Sequence, residues 1–108
     1  MTDQSVFEQM LNLGDDNALL RYTLGSAFLK KEQYKQAIEQ LSKAVEYAPK
    51  YVAAWSALGH ALAGDKSLQE SIEAYTEALK IAKEKNDKGL AKEMEQAIAQ
   101  VQQVAKLL

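Results

Sequence analysis

The segment Arg21-Tyr22-Thr23-Leu24-Gly25-Ser26-Ala27-Phe28 returns 34 positions later as Trp55-Ser56-Ala57-Leu58-Gly59-His60-Ala61-Leu62. The same shift, without a gap, carries Ile38 onto Ile72, Glu39 onto Glu73, Ala44 onto Ala78 and Ala48 onto Ala82. A period of this length restricts the chain to a stack of like units, because one such unit cannot cover its own apolar face and must lean on a neighbour. Within each unit the apolar residues recur at three- and four-residue steps, the period of a helix and not of a strand. The expectation is an all-α fold, a solenoid of antiparallel helix hairpins.

Taken in order, the chain opens with a short helix from about Val6 to Leu13. A Ser5–Glu8 capping box starts it, and Phe7, Met10 and Leu11 share one face. Gly14 stops it, and Asp15, Asp16 and Asn17 offer an N-cap to the next helix. The first hairpin runs from about Ala18 to Ala48. Its leading helix is expected to bury Leu20, Leu24, Ala27 and Phe28, with Gly25 admitting a close partner. Its second helix, from about Gln33, carries the stripe Tyr34, Ala37, Ile38, Leu41, Ala44 and Val45, and Pro49 prevents its continuation. The second hairpin begins near Tyr51 or Val52, buries Trp55, Leu58, Gly59 and Leu62, and turns at Gly64-Asp65. A Ser67–Glu70 capping box then opens a helix bearing Leu68, Ile72, Tyr75, Ala78, Leu79 and Ala82. Ser71 replaces Ala37 here and Lys83 replaces Pro49, so this helix is expected to run on to Asn86. Asp87 caps a last helix from about Lys88 to Leu107, whose stripe is Leu90, Met94, Ala97, Val101, Val104 and Leu108. Its other face, including Lys92, Glu93, Glu95 and Gln96, suits a solubilising cap. The organisation is one domain over residues 1–108: an N-terminal helix (5–14), two repeats (18–51 and 52–85) and a capping helix (87–108).

Composition removes several function classes. The 13 basic and 15 acidic residues are interspersed, for a net charge of −2, so no basic face exists to bind a phosphate backbone, and nucleic acid is excluded as a partner. The chain has one His and no Cys, which argues against a metal or other cofactor and suits a reducing, cytoplasmic setting. Gly14, Gly25, Gly59, Gly64 and Gly89 are scattered and form no phosphate loop. Residues Met1 to Ser5 show no leader pattern, and no apolar run reaches the roughly 18 residues needed to span a bilayer. No membrane association is expected.

The order W-x2-L-G-x2-Y, then A-x3-F, then P, marks the tetratricopeptide repeat. Trp55, Leu58 and Gly59 match it, with Leu62 in place of the Tyr, and Pro49 closes the other copy. From residue 18 to about 85 the chain therefore resembles the tetratricopeptide repeat (TPR) family, with an extra helix at each end. The resemblance implies a right-handed α-solenoid of about five to six helices, whose concave groove is lined by the leading helix of each hairpin. It places Leu19, Tyr22, Thr23, Ser26, Leu29 and Lys30 in that groove from the first hairpin. The second contributes Ala53, Ser56, Ala57, His60, Ala63 and Gly64. In family members that clamp the carboxylate of chaperone tails, Lys, Asn and Arg hold defined groove positions. Here Tyr22, Ser26 and Ala57 stand instead, so the clamp is absent. The resemblance implies a non-catalytic module that takes a protein or peptide partner by apolar contact and a few hydrogen bonds.

His60 could serve as a base beside Ser26 or Ser56, but no acid occupies a matching groove position, so no catalytic residue is assigned. Trp55 reads as a packing residue. Tyr22 reads equally as a groove anchor or a core-edge residue, and Tyr47 and Tyr51 are expected to wedge the two hairpins together. The rival to peptide binding is a self-assembling scaffold, a homodimer formed through Leu19, Leu29, Leu107 or Leu108. A remoter third reading is an enzyme accessory subunit or a small hydrolase.

Overall fold

A computed structural model describes residues 4–12, 14 and 16–108. Its helices are α1 (Gln4–Asn12), α2 (Ala18–Lys30), α3 (Tyr34–Tyr47), α4 (Val52–Gly64), α5 (Leu68–Glu84) and α6 (Lys88–Lys106), and no strand occurs among the described residues. Each helix packs on the next in sequence, and α2 also runs beside α4. This is the neighbour-on-neighbour layout of a right-handed α-solenoid. Leu13, Asp15 and the side chain of Phe7, which figure in the expected first helix and its flank, lie outside the described residues.

Two notches set the spacing of the hairpins. A Cβ at Gly25 would lie 2.6 Å from Leu41 Cγ, and one at Gly59 would lie 2.8 Å from Tyr75 Cδ1. Gly59 is Gly25 shifted by one repeat, and Tyr75 is Leu41 shifted likewise. In each hairpin, then, a missing side chain on the leading helix admits a large one from its partner, which lets the backbones approach. Ala37, Ala44 and Ala78 have no exposed surface, as small residues at such crossings must. Ser71, in the slot of Ala37, is also fully buried, and its hydroxyl donates to the Gly59 carbonyl at 2.7 Å. The substitution adds a polar tie at the same place as the second notch.

Three connections share one geometry. After α2, α4 and α5 the N–H of Gln33, Ser67 and Asp87 donates to the carbonyl of Phe28, Leu62 and Ala82, at 3.0, 2.9 and 2.9 Å. The residue before each, Glu32, Lys66 or Asn86, takes a left-handed conformation with φ of 57, 65 and 57°. These are Schellman turns built without glycine. They explain two departures from the sequence expectations. The backbone N–H of Ser67 is committed to Leu62, so Glu70 has no cap donor to accept from, and Ser67 makes no side-chain cap. The helix expected to reach Asn86 ends at Glu84, because Asn86 is the left-handed residue of the turn. The α3–α4 connection differs. Ala48, held in an extended conformation before Pro49 (φ −137°, ψ 84°), ends α3 at Tyr47.

Two helices do carry side-chain caps. Asn17 accepts from the Leu20 N–H at 2.8 Å and Asp87 from the Leu90 N–H at 3.0 Å. Helix α1 begins at Gln4, so Ser5 falls inside its first turn and not at its cap. Helix α6 has 19 residues against 17 in α5. Val104 near its end and Leu107 and Leu108 after it are exposed, although the sequence stripe placed Val104 and Leu108 with the core.

Candidate functional site

Helices α2, α4 and α6 line a concavity of about 1100 Å³. Helix α4 forms its floor because neighbours flank it on both sides and its third side carries small residues. Of the groove residues expected from the sequence, Tyr22, Thr23, Ser26, Leu29, Lys30, Ala53, Ser56, Ala57 and His60 are brought together around this space. Leu19 and Ala63 are not. Leu19 sits one turn nearer the start of α2, outside the concavity, and is 64% exposed. Ala63 is turned toward α5 and α6, where it packs on the cluster of Tyr75, Ala78, Met94 and Val101. Gly64 is also outside, because its Cα faces the ring of Tyr34, which would clash with any Cβ there. The concavity gains Ala27, Lys31, Val52, Leu90 and Glu93. Leu90 and Glu93 could not be placed without knowing how α6 folds back, whereas Val52 and Ala27 follow from the helical period.

The polar groups around this space are unequal in what they offer. The Thr23 hydroxyl donates to its own helix at the Leu19 carbonyl, 2.8 Å away. The hydroxyls of Ser26 and Ser56 line the concavity and make no hydrogen bond among the described residues, so donor and acceptor are both free. His60 is exposed and hydrogen-bonds neither serine nor Glu93. No group of three or more His, Cys, Asp or Glu that could hold a metal occurs among the described residues.

The aromatic residues divide by function. Tyr22 is half-buried, lines the concavity and lies against Tyr51, with ring centroids 5.0 Å apart at an interplanar angle of 43°. It is a core-edge residue and a groove residue at once. Burial, and the neighbouring Tyr22, push the Tyr51 phenol above its ordinary value. Trp55 packs against both halves of the core and donates from Nε1 to the Pro49 carbonyl at 2.8 Å. Tyr47 does not wedge the hairpins. It is 45% exposed, and its hydroxyl donates to Asp16 at 2.7 Å. Arg21 reaches the same carboxylate through Nε at 2.8 Å and Nη2 at 3.1 Å, and donates through Nη1 to Gln40 at 2.8 Å. The bonds from Arg21 and then Tyr47 hold the Asp16 carboxyl down at about 2.

Stacked antiparallel helix pairs with an open, largely uncharged concave face define a helical-repeat protein of the interaction-module class. The family can then be stated. The profile of the tetratricopeptide repeat matches residues 22–86, and the chain belongs to that family. It is 40% identical over 87 residues to the TPR repeat-containing protein PA0015 of Pseudomonas aeruginosa, covering 81% of this chain and 83% of that protein. The solution structure of protein BPP2914 from Bordetella parapertussis superposes with a TM-score of 0.83 at 30% identity, covering 99% of this chain and 93% of the other. The TPR2B domain of yeast Sti1, solved in complex with pHsp70, gives a TM-score of 0.83 at 22% identity, over 93% of this chain and 80% of that one. At that identity the likeness speaks to the fold alone. No helix among the described residues is long and apolar enough to cross a membrane.

Proposed function

We propose that this chain is a non-catalytic module that holds a peptide segment of another protein in the concavity between α2, α4 and α6. One observation carries the reading. Helix α4 has no Asp, Glu, Lys or Arg in 13 residues, although Ala53 and His60 on its concave side are exposed. A helix apolar nearly all round is normally buried on every side. Leaving one side of small residues open suits a surface that a partner covers. Tyr22 and Leu29 supply apolar walls, while Ser26, Ser56 and His60 supply hydrogen bonds that fix the register of the bound segment. The groove holds Tyr22, Ser26 and Ala57 where a carboxylate clamp needs Lys or Asn, so the reading does not extend to chaperone-tail capture. A cytoplasmic setting accompanies it, since the chain has no cysteine.

The test is capture from lysate by the native chain and by a Tyr22→Ala, His60→Ala double variant, with circular dichroism as the fold control. At least one specific partner should be lost by a variant that keeps its helical spectrum. An unchanged partner set with an intact spectrum removes the groove from the function.

A second reading, association of copies of this chain, rests on the two apolar residues that follow α6, where Leu107 is 77% and Leu108 84% exposed. Sedimentation velocity across a wide concentration range checks it. The expected signature is a rising sedimentation coefficient that a Leu107→Ser, Leu108→Ser variant abolishes, and a concentration-independent monomer refutes it.

A further inference from the structure

A second concavity of about 540 Å³ opens on the other side of α4, between α3 and α5. Ile38, Trp55, Leu62 and Ala74 give it an apolar floor, and Glu70, Glu73 and Glu77 stand along its α5 side. Their three- and four-residue spacing puts the carboxylates on one helical face over about 10 Å. None of the three makes an ion pair or hydrogen bond among the described residues.

Four acids elsewhere are paired, whereas Glu39 on α3 and Glu93 and Glu95 on α6, like these three, make no ion pair among the described residues. Asp16 pairs with Arg21, Asp65 with Lys35 at 3.4 Å, Glu46 with Lys43 at 3.8 Å and Glu84 with Lys50 at 2.7 Å. Lys35 and Lys43, the cations of α3, are thus engaged away from this rim. The repeat provides an internal control. Shifted back by one period, Glu70, Glu73 and Glu77 become Gln36, Glu39 and Lys43, a set with no net charge. The acidic stripe is therefore not part of the repeated frame, and it accompanies the groove in the second hairpin only.

We infer that the groove between α3 and α5 is a docking surface, independent of the α2–α4–α6 concavity, for a basic amphipathic helix of a partner protein. The apolar floor takes the partner's aliphatic or aromatic side chains against Trp55 and Ile38. Lys or Arg residues at three- and four-residue steps on the same helix meet Glu70, Glu73 and Glu77, whose spacing matches theirs. The volume accommodates a few side chains and not a whole helix, so the partner lies on the surface with one face inserted. Charge sets orientation and encounter rate, while the apolar contact sets lifetime.

The test uses the full chain, labelled with ¹⁵N, and three capped synthetic peptides of about four helical turns. The first has Lys at three- and four-residue spacing beside a Leu/Trp stripe. The second replaces each Lys by Glu. The third has the composition of the first with the order scrambled. The first peptide should shift the Trp55 indole resonance and the amides of α5 around Glu73, leaving those of Tyr22 and His60 in place. The second should leave the spectrum unchanged, and the scrambled one should bind several-fold more weakly. A Glu70→Gln, Glu73→Gln, Glu77→Gln variant should lose about tenfold in affinity, the weight of three exposed ion pairs. A Glu73→Lys variant should reverse the preference toward the second peptide. These substitutions lie at the surface, and the amide spectrum itself reports an intact fold. Shifts that map to the α2–α4–α6 concavity, equal binding of the scrambled peptide, an affinity indifferent to the glutamines, or no shift at millimolar peptide would each overturn the inference. The first of these outcomes would support the Tyr22 and His60 reading, and the others leave it unaffected, because it concerns the opposite side of α4.

Discussion

The two hairpins, α2–α3 and α4–α5, are built on the same frame and finished with different chemistry. Both have the glycine notch, the large side chain that fills it and the fully buried alanine one turn further along, at Ala44 and Ala78. At the position before the groove face, however, the first hairpin has Arg21 and the second has Trp55. Each holds the segment that leads into its own helix, and Arg21 also reaches Gln40 on α3. Arg21 holds Asp16 and Trp55 holds the Pro49 carbonyl. The task is the same and the residue follows the surroundings. Trp55 stands between two hairpins and packs on both parts of the core, so an aromatic fits. Among the described residues Arg21 has α1 and not a hairpin before its helix, and a charged fork that stays near water fits instead.

The comparison breaks most visibly at the notch filler. Leu41 has no exposed surface and occupies the space beside Gly25, so Leu41→Ala should cost about 2–5 kcal/mol. Thermal unfolding followed by circular dichroism reads this as a large fall in Tm, at roughly 4–8 °C per kcal/mol for a chain of this size. A loss under about 1 kcal/mol would mean that the notch closes without its filler, contrary to a close-packed crossing. Ser71→Ala makes the second hairpin like the first and should cost about 0.5–1.5 kcal/mol, the net worth of one buried hydrogen bond. A neutral or stabilising outcome in urea unfolding would show the hydroxyl to be dispensable and the two slots energetically alike.

The smallest expected effect separates the polar clamp of the first hairpin from the aromatic one of the second. The folded pKa of Asp16, at about 2, lies below its ordinary value of 3.8. Its contribution is therefore complete above the ordinary value and is lost as pH falls through about 2. Asp16→Asn should lower Tm slightly at neutral pH, and the difference from the native chain should vanish toward pH 2. High salt should shrink it at every pH, because the pair is exposed. No comparable acid dependence should accompany the loss of the Trp55 bond, which links two groups that do not titrate.

Much of the frame was legible in the sequence because it rests on the spacing of residues and on side-chain size. The 34-residue shift placed both notches, and Pro49, Asn17 and Asp87 punctuate the chain where the structure does. What escaped detection depended on which backbone group another segment brought close. Ser71 looked like a departure because nothing in the order of residues shows that the Gly59 carbonyl stands opposite it. Glu70 looked like the second half of a capping box because the demand of the preceding turn on the Ser67 N–H is invisible locally. Glu93 entered the concavity only through the path of α6, and Leu19 left it because a helical face extends beyond the space that the neighbouring helices enclose.

The sequence by itself determined that there are two like hairpins, which residues are small where helices cross, and that one helix is without charge. Those facts follow from periodicity and from volume, both local in the chain. The tertiary structure alone decided which open faces become concavities, that Glu70, Glu73 and Glu77 border one of them without an ion pair among the described residues, and that Arg21 and Trp55 do the same work. Each of these depends on distances between segments far apart in the chain, and only the packed backbone sets such distances.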